Sequence, residues 1–374
     1  GNVQQAPEGL TLPPYNPNVQ LGSLPQAPAP AVTVLTEPLP PTQPASNALF
    51  LRAVAAVPAT LADSRRPAFS AVYEPFVASA FAWGFADSGA GISPLGIAFS
   101  PDGASVYVSG GRGRNSLYKF SMSAGGRAVT PLTTLDVPIY DMLFDRDGLL
   151  WATTGGGPLV QIDPNTGSIL ERYGEGVTLG IAPSSVAGKL YVATRNGVEL
   201  FDTQTGTFSL FSATRVHALA LAPDGTLWGT TWPDGGQVVA FDRKGRPEVK
   251  IALSQRAEGL AFGQPGTLLA GLLFVSHANG VLTMVDMASG RTTPLATGGT
   301  RGDFLHVSPD GRLFVTQSKQ VDVFQPLLPP HIVATTPVDR SLVSGSVSAA
   351  TVVFDIDMDP ASVTALDRYL LRNV

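Results

Sequence analysis

Tyr140, His217, Glu258 and Asp303 stand at one register of a repeated phrase, and their types together could do acid–base chemistry. The register is six residues before a turn anchor; Leu95 and Val177 fill it in the other two copies. A phenol, an imidazole and two carboxylates can donate, accept and relay a proton, and a His–Glu or His–Asp pair suits general acid–base work. Two residues earlier in each copy stand Ser93, Pro138, Glu175, Arg215, Arg256 and Arg301. Three guanidinium groups in that row could hold an anionic ligand through charge-assisted hydrogen bonds. The competing reading is that both rows line a wet, polar mouth where charges of opposite sign pair off, and it carries more weight. No nucleophile-elbow spacing and no phosphate-binding loop accompanies the rows, since the Gly155-Gly156-Gly157 and Gly110-Gly111 clusters do not open onto helices.

The elements that must position these residues are strand–turn–strand units. Gly96-Ile97-Ala98-Phe99-Ser100-Pro101-Asp102-Gly103 runs into Val106-Tyr107-Val108. Leu219-Ala220-Leu221-Ala222-Pro223-Asp224-Gly225 runs into Leu227-Trp228, and Leu305-His306-Val307-Ser308-Pro309-Asp310-Gly311 into Leu313-Phe314-Val315. Looser copies surround Asp147-Gly148, Pro183 and Pro265-Gly266. The six anchors, at positions 101, 146, 183, 223, 264 and 309, are 45, 37, 40, 41 and 45 residues apart. A period near 40 with this content is the mark of a propeller blade, which must stack on neighbours because it cannot bury both faces alone. His306 alternates with apolar neighbours and is expected to be a satisfied core or interface histidine.

Composition agrees with many short strands. The 374 residues include 40 Gly and 32 Pro, with 44% hydrophobic and only 14% charged residues. A net charge of −5 argues against a nucleic-acid partner, which demands a basic face. The absence of cysteine excludes a disulfide framework, thiolate metal sites and thiol catalysis. The longest apolar run, Leu268 to Val275, is too short to span a membrane.

Along the chain, residues 1–45 carry 11 prolines and only Glu8 and Glu37 as charges. Such a stretch is extended and lies outside helices and central strands. It reads as an arm docked along another protein surface, the alternative being a disordered linker. Residues 46–328 form the propeller, with the repeats over 91–326. The last repeat shows three strands and lacks a fourth, so a strand from within 66–86 is expected to close the ring. The alternative is a seventh blade from 46–90. Residues 329–374 begin with a Pro-rich linker and continue through Thr336-Pro337 to Met358-Asp359-Pro360-Ala361-Ser362-Val363. A sandwich needs about 100 residues, and too few remain, so the chain is expected to be a segment of a longer polypeptide.

The Ser-Pro-Asp-Gly turn before a strand, together with apolar-Asp-x-x-x-Gly turns such as Ile162-Asp163 to Gly167 and Phe201-Asp202 to Gly206, resembles the NHL and YVTN class of bacterial propellers. Streptogramin lyase-like proteins and gluconolactonase-like enzymes belong to that neighbourhood. The lyase-like members imply a histidine and a carboxylate near the mouth, yet no family motif surrounds His217. The lactonase-like members imply a metal held by Glu, Asn and Asp. Glu258 and Asp303 could contribute, but no matching Asn lies at the register. The C-terminal stretch resembles the opening of a bacterial Ig-like domain.

These readings combine into an all-β, six-bladed propeller with a Pro-rich N-terminal arm and a partial Ig-like sandwich. The expected role is a non-enzymatic scaffold in a secreted or cell-surface bacterial protein, or within a toxin-like repeat shell. Its expected partners are other protein domains or downstream parts of the same polypeptide, with no cofactor, no metal and no membrane span. The alternative is a lyase or lactonase acting on a small anionic substrate at the mouth, through His217, Glu258, Tyr140 and Asp303, with Arg215, Arg256 and Arg301 holding the anion.

Overall fold

A computed structural model describes residues 43–61, 64–88, 91–231, 236–251, 253, 255–302, 304–327, 332–338 and 351–354. The Pro-rich arm expected over 1–45 lies almost wholly outside the described residues.

The repeated phrase makes a hairpin for local reasons. In the Ser-Pro-Asp-Gly turn, Asp102 Oδ1 accepts the Ala104 amide at 2.9 Å; Asp224 does the same for Thr226, also at 2.9 Å. The following glycine takes a positive φ, +69° at Gly103 and +85° at Gly225, which residues with a Cβ rarely adopt.

After a short helix α1 (Ala48–Ala53) come β1 (Ala71–Val72) and β2 (Phe76–Trp83). The first blade holds β3 (Ile97–Phe99), β4 (Ser105–Gly110) and β5 (Ser116–Ser121). A short β6 (Gly126–Arg127) precedes its outer strand β7 (Thr133–Thr134). The second blade is β8 (Met142–Phe144), β9 (Leu150–Ala152), β10 (Leu159–Ile162) and β11 (Ile169–Tyr173). The third is β12 (Thr178–Pro183), β13 (Lys189–Thr194), β14 (Gly197–Asp202) and β15 (Thr207–Ser212). The fourth is β16 (Val216–Leu221), β17 (Leu227–Thr231), β18 (Val238–Phe241) and β19 (Pro247–Ile251). The fifth is β20 (Ala257–Phe262), β21 (Leu272–His277), β22 (Leu282–Asp286) and β23 (Arg291–Thr297), with β1 added at its edge. The sixth is β24 (Leu305–Val307), β25 (Leu313–Thr316) and β26 (Gln320–Pro326), completed by β2 and then β6. The propeller therefore has six blades, and residues 46–90 supply edge strands to two of them in place of a seventh.

The ring closes where β2 runs antiparallel to β26, from Phe76 opposite Pro326 to Trp83 opposite Gln320. Asp322 of β26 is fully buried at this seam, with Oδ2 accepting the Ala68 amide at 2.8 Å and Oδ1 the Gln320 amide at 2.6 Å.

Packing between blades rests on one aromatic per second strand. Tyr107, Trp151, Tyr191, Trp228, Phe274 and Phe314 lie opposite Ala98, Leu143, Ala182, Ala220, Ala261 and His306 on the inner strands. A large ring on one strand facing a small residue on its neighbour in most blades lets the sheets interdigitate at native density. Each fully buried aromatic of this kind contributes about 2–3 kcal/mol by area.

Residues 327–374 form a separate unit. Among its described residues β27 (Ile332–Thr336) pairs antiparallel with β28 (Thr351–Phe354).

Candidate functional site

A repeated irregularity aims side chains at the ring axis. In five blades a Ser or Thr hydroxyl on the second strand accepts a backbone amide just ahead of, or near the head of, the inner strand. The pairs are Ser109 with Gly96 (2.9 Å), Thr153 with Asp141 (3.0 Å), Thr230 with Ala218 (3.2 Å), Ser276 with Gly259 (3.0 Å) and Thr316 with Phe304 (3.2 Å). The ladder slips there, as between Val216 and Leu219 or between Ala257 and Leu260. Such a bulge re-aims the residue before it. Leu95, Tyr140, His217 and Glu258 are those residues, so four members of the expected row share one structural position.

Two members need correction or fall away. The third blade presents Leu179 and not Val177, because Thr178 pairs with Thr194 as Val216 pairs with Thr231. Pro183 follows the paired Ala182 directly, whereas Pro101 stands three residues after its counterpart Ala98, which displaced the anchor by two residues. Asp303 lies outside the described residues.

Three expected residues meet. The Tyr140 hydroxyl is bonded to His217 Nε2. His217 Nδ1 lies 3.1 Å from the Glu258 carbonyl oxygen, which also accepts the Thr230 hydroxyl at 2.9 Å. A carbonyl accepts only, so Nδ1 donates to Glu258, and both ring nitrogens have protein partners. The Glu258 carboxylate stands 3.7 Å from Nε2. Its charge is balanced from the other side by Arg256 Nε at 3.5 Å and Arg301 Nη2 at 3.6 Å. Arg215 is intermediate in exposure and precedes β16.

The cluster is closed. Tyr140, His217 and Glu258 are 2%, 4% and 2% exposed, while the Arg256 and Arg301 side chains above them are 46% and 41% exposed. Phe304 lies nearly parallel to the imidazole but offset from it, with centroids 5.9 Å apart at 13°, and its ring meets Tyr140 edge-on at 5.0 Å. Leu95 and Leu179 belong to the same buried cluster. As it stands the site can hold a proton on a phenol–imidazole pair and present two arginines to an anion at the rim. A reacting atom reaches His217 only if Phe304 or Tyr140 moves.

Sequence reasoning missed Phe304 and Asp141, which occupy the next position along the inner strands. Asp141 is 1% exposed and accepts the Met142 amide at 2.8 Å and the Ile181 amide at 3.1 Å. His306 Nε2 lies 3.3 Å from Asp141 Oδ1 without hydrogen-bond alignment, so this histidine faces a buried carboxylate and is not satisfied at that atom. The signal was one residue further along the same row: Gly96, Gly180, Ala218 and Gly259 are small there, and Asp141 and Phe304 stand out. No group of three or more His, Asp or Glu side chains able to hold a metal occurs among the described residues.

No protein-family model and no curated protein matches the chain. Among solved structures it is similar to a streptogramin B lyase, at 14% identity over 67% of this chain and 97% of that one, with a TM-score of 0.48.

Proposed function

We propose that this chain is a non-enzymatic scaffold and binding module of a larger secreted or cell-surface bacterial protein, with its channel sealed by the Tyr140–His217–Glu258 cluster. The observation that carries the reading is the closure of the mouth. The three side chains that would do acid–base chemistry are each no more than 4% exposed and are already bonded or ion-paired to protein groups. Mutually satisfied buried networks rigidify a core, whereas a catalytic base needs hydrogen-bond reach to a substrate. NHL-type blades and an Ig-like C-terminal domain belong to the same reading, supported by the Ser-Pro-Asp-Gly turns and by Thr336-Pro337 and Met358-Asp359-Pro360. The partners are other protein domains or further parts of the same polypeptide.

A second reading, an enzyme acting on a small anion, is favoured by Arg256 and Arg301, half-exposed directly above Glu258. The two separate in one experiment. The His217 imidazole resonances are followed by NMR while citrate, phosphate and a panel of small lactones are added, with lactone opening monitored in parallel. The scaffold reading expects unchanged resonances and no turnover. Saturable shifts at His217, or lactone opening that Glu258→Gln abolishes, would overturn it.

A further inference from the structure

We infer that the outer strand of the third blade, β15, is a self-association edge: it pairs antiparallel with β15 of a second copy of this chain, across a two-fold axis at Ser209. The pairing is independent of the channel mouth.

The outermost strand of a blade offers a row of unpaired amides and carbonyls, and such edges are normally defended by shortness, charge, proline or a covering strand. The repeat lets the six edges be compared. β7 has only two residues. β11 carries Glu171 and Arg172, and β19 carries Pro247, Glu248 and Lys250. β23 contains Arg291 and Pro294 and is covered by β1, while β26 is covered by β2 and then β6. β15 has none of these defences. It is the six-residue run Thr207-Phe208-Ser209-Leu210-Phe211-Ser212 at the end of the order β12-β13-β14-β15. No charged residue lies between Asp202 and Arg215. Among the described residues no strand pairs with its outer side, and Leu210 is 61% exposed. The bulge that ends its regular pairing beyond Leu210 has counterparts in β19 and β23, so it does not set this edge apart.

The ladder decides which backbone groups face outward. The Thr203 amide donates to the Gly188 carbonyl at 2.8 Å, toward β13, so Asp202 directs its own groups toward Thr207 of β15. Alternation along an antiparallel pair then aims Ser209 at Leu200 and turns the amides and carbonyls of Phe208 and Leu210 away from β14. A second β15 centred on Ser209 sets Phe208 opposite Leu210 of the second copy, and Leu210 opposite its Phe208. Both are hydrogen-bonded pairs, and Ser209 faces itself between them as a non-hydrogen-bonded pair.

The edge also selects its occupant. In this register an aromatic meets a leucine, a serine meets a serine, and no like charges are brought opposite one another. The Glu199 carboxylates, one on each β14 beside Leu210, stand at least three strand spacings apart. That is about 14 Å, beyond the screening length of about 8 Å. A charged partner strand would find no opposite charge on β15, whereas a second copy matches it in polarity along its length.

The test follows the full chain by sedimentation velocity up to about 1 mM, since a contact this small gives association in the range of about 10–500 μM. The parent is expected to show a reversible monomer–dimer equilibrium. Ser209 is exposed, so Ser209→Lys and Ser209→Glu leave the fold intact while each places like charges opposite one another. Each is expected to weaken dimerisation about fivefold or more, and an equimolar mixture of the two to restore it. The chain has no cysteine, so Ser209→Cys gives a second readout. Non-hydrogen-bonded antiparallel partners have Cα atoms about 4.5 Å apart, within disulfide reach. With oxidised glutathione this variant is expected to form a covalent dimer, whereas Leu170→Cys, on the charged edge β11 and replacing a 52% exposed side chain, is not. The pairing is refuted if the parent stays monomeric over that range, if the lysine and glutamate variants dimerise as the parent does, if their mixture does no better than either alone, or if Ser209→Cys crosslinks no faster than Leu170→Cys.

Discussion

Asp322 makes the closing seam of the ring sensitive to pH. Burial pushes its carboxyl up from 3.8 to about 7, against the pull of the hydrogen bonds from Gln320 and the Ala68 amide. Desolvation of the charged form outweighs two donors because the side chain is fully buried between β25 and β2. The sign follows from proton counts. Below the unfolded value both states hold the proton and the group contributes no pH dependence. Between about pH 4 and about pH 7 the folded state binds more protons than the unfolded one, so stability falls as pH rises through that window. Above it both states are ionised and the full penalty remains. A shift from 3.8 to about 7 corresponds to on the order of 4 kcal/mol. Asp322→Asn removes the charge and keeps an acceptor for the Ala68 amide, while the Gln320 amide retains its bond to the Arg66 carbonyl. Guanidinium unfolding followed by tryptophan fluorescence, at about pH 4.5 and about pH 8, isolates the effect, because other titrating groups cancel between parent and variant. The variant is expected to be close to the parent at the lower pH and more stable at the higher, by up to that amount. A variant that is less stable at the higher pH, or a parent–variant difference that does not change with pH, would refute the reasoning.

Three further outcomes test the packing. Tyr140→Phe leaves His217 Nε2 without its hydrogen-bond partner and should cost about 1–2 kcal/mol in denaturant unfolding, without altering the far-ultraviolet spectrum. Gly180→Ala would place a Cβ 2.7 Å from Ala218 Cα and 2.8 Å from the His217 carbonyl oxygen, backbone that cannot move aside. It should cost about 2–3 kcal/mol or prevent folding, whereas Gly156→Ala, with nothing within 4 Å, should stay within about 0.5 kcal/mol by thermal melting. Removing residues 43–83 strips β2 from the sixth blade and exposes the edge of β26. Size-exclusion chromatography should then show aggregation, and the cooperative melt should disappear.

The blades were legible because a blade is a local object. Asp102 and Gly103, or Asp224 and Gly225, dictate a turn within four residues, and the alternation on either side dictates which face is buried. The period near 40 then implies stacking, and the missing fourth strand of the last copy pointed to residues 66–86. Tyr140, His217 and Glu258 could be placed on one ring for the same reason, since the bulge that aims them recurs with the repeat.

What only the three-dimensional arrangement decided lies between blades. Whether Tyr140, 77 positions from His217, reaches its imidazole depends on the ring radius and on rotamers set by neighbours such as Phe304. Those are long-range quantities, and no register along the chain encodes them. Pro183 stands two residues earlier in its turn than Pro101 does, so counting back from it lands on Val177 where pairing puts Leu179 on the ring. Turn chemistry and periodicity act within one blade and were readable from residue types. Ring closure and the meeting of Tyr140, His217 and Glu258 arise from distances between blades, which packing alone sets.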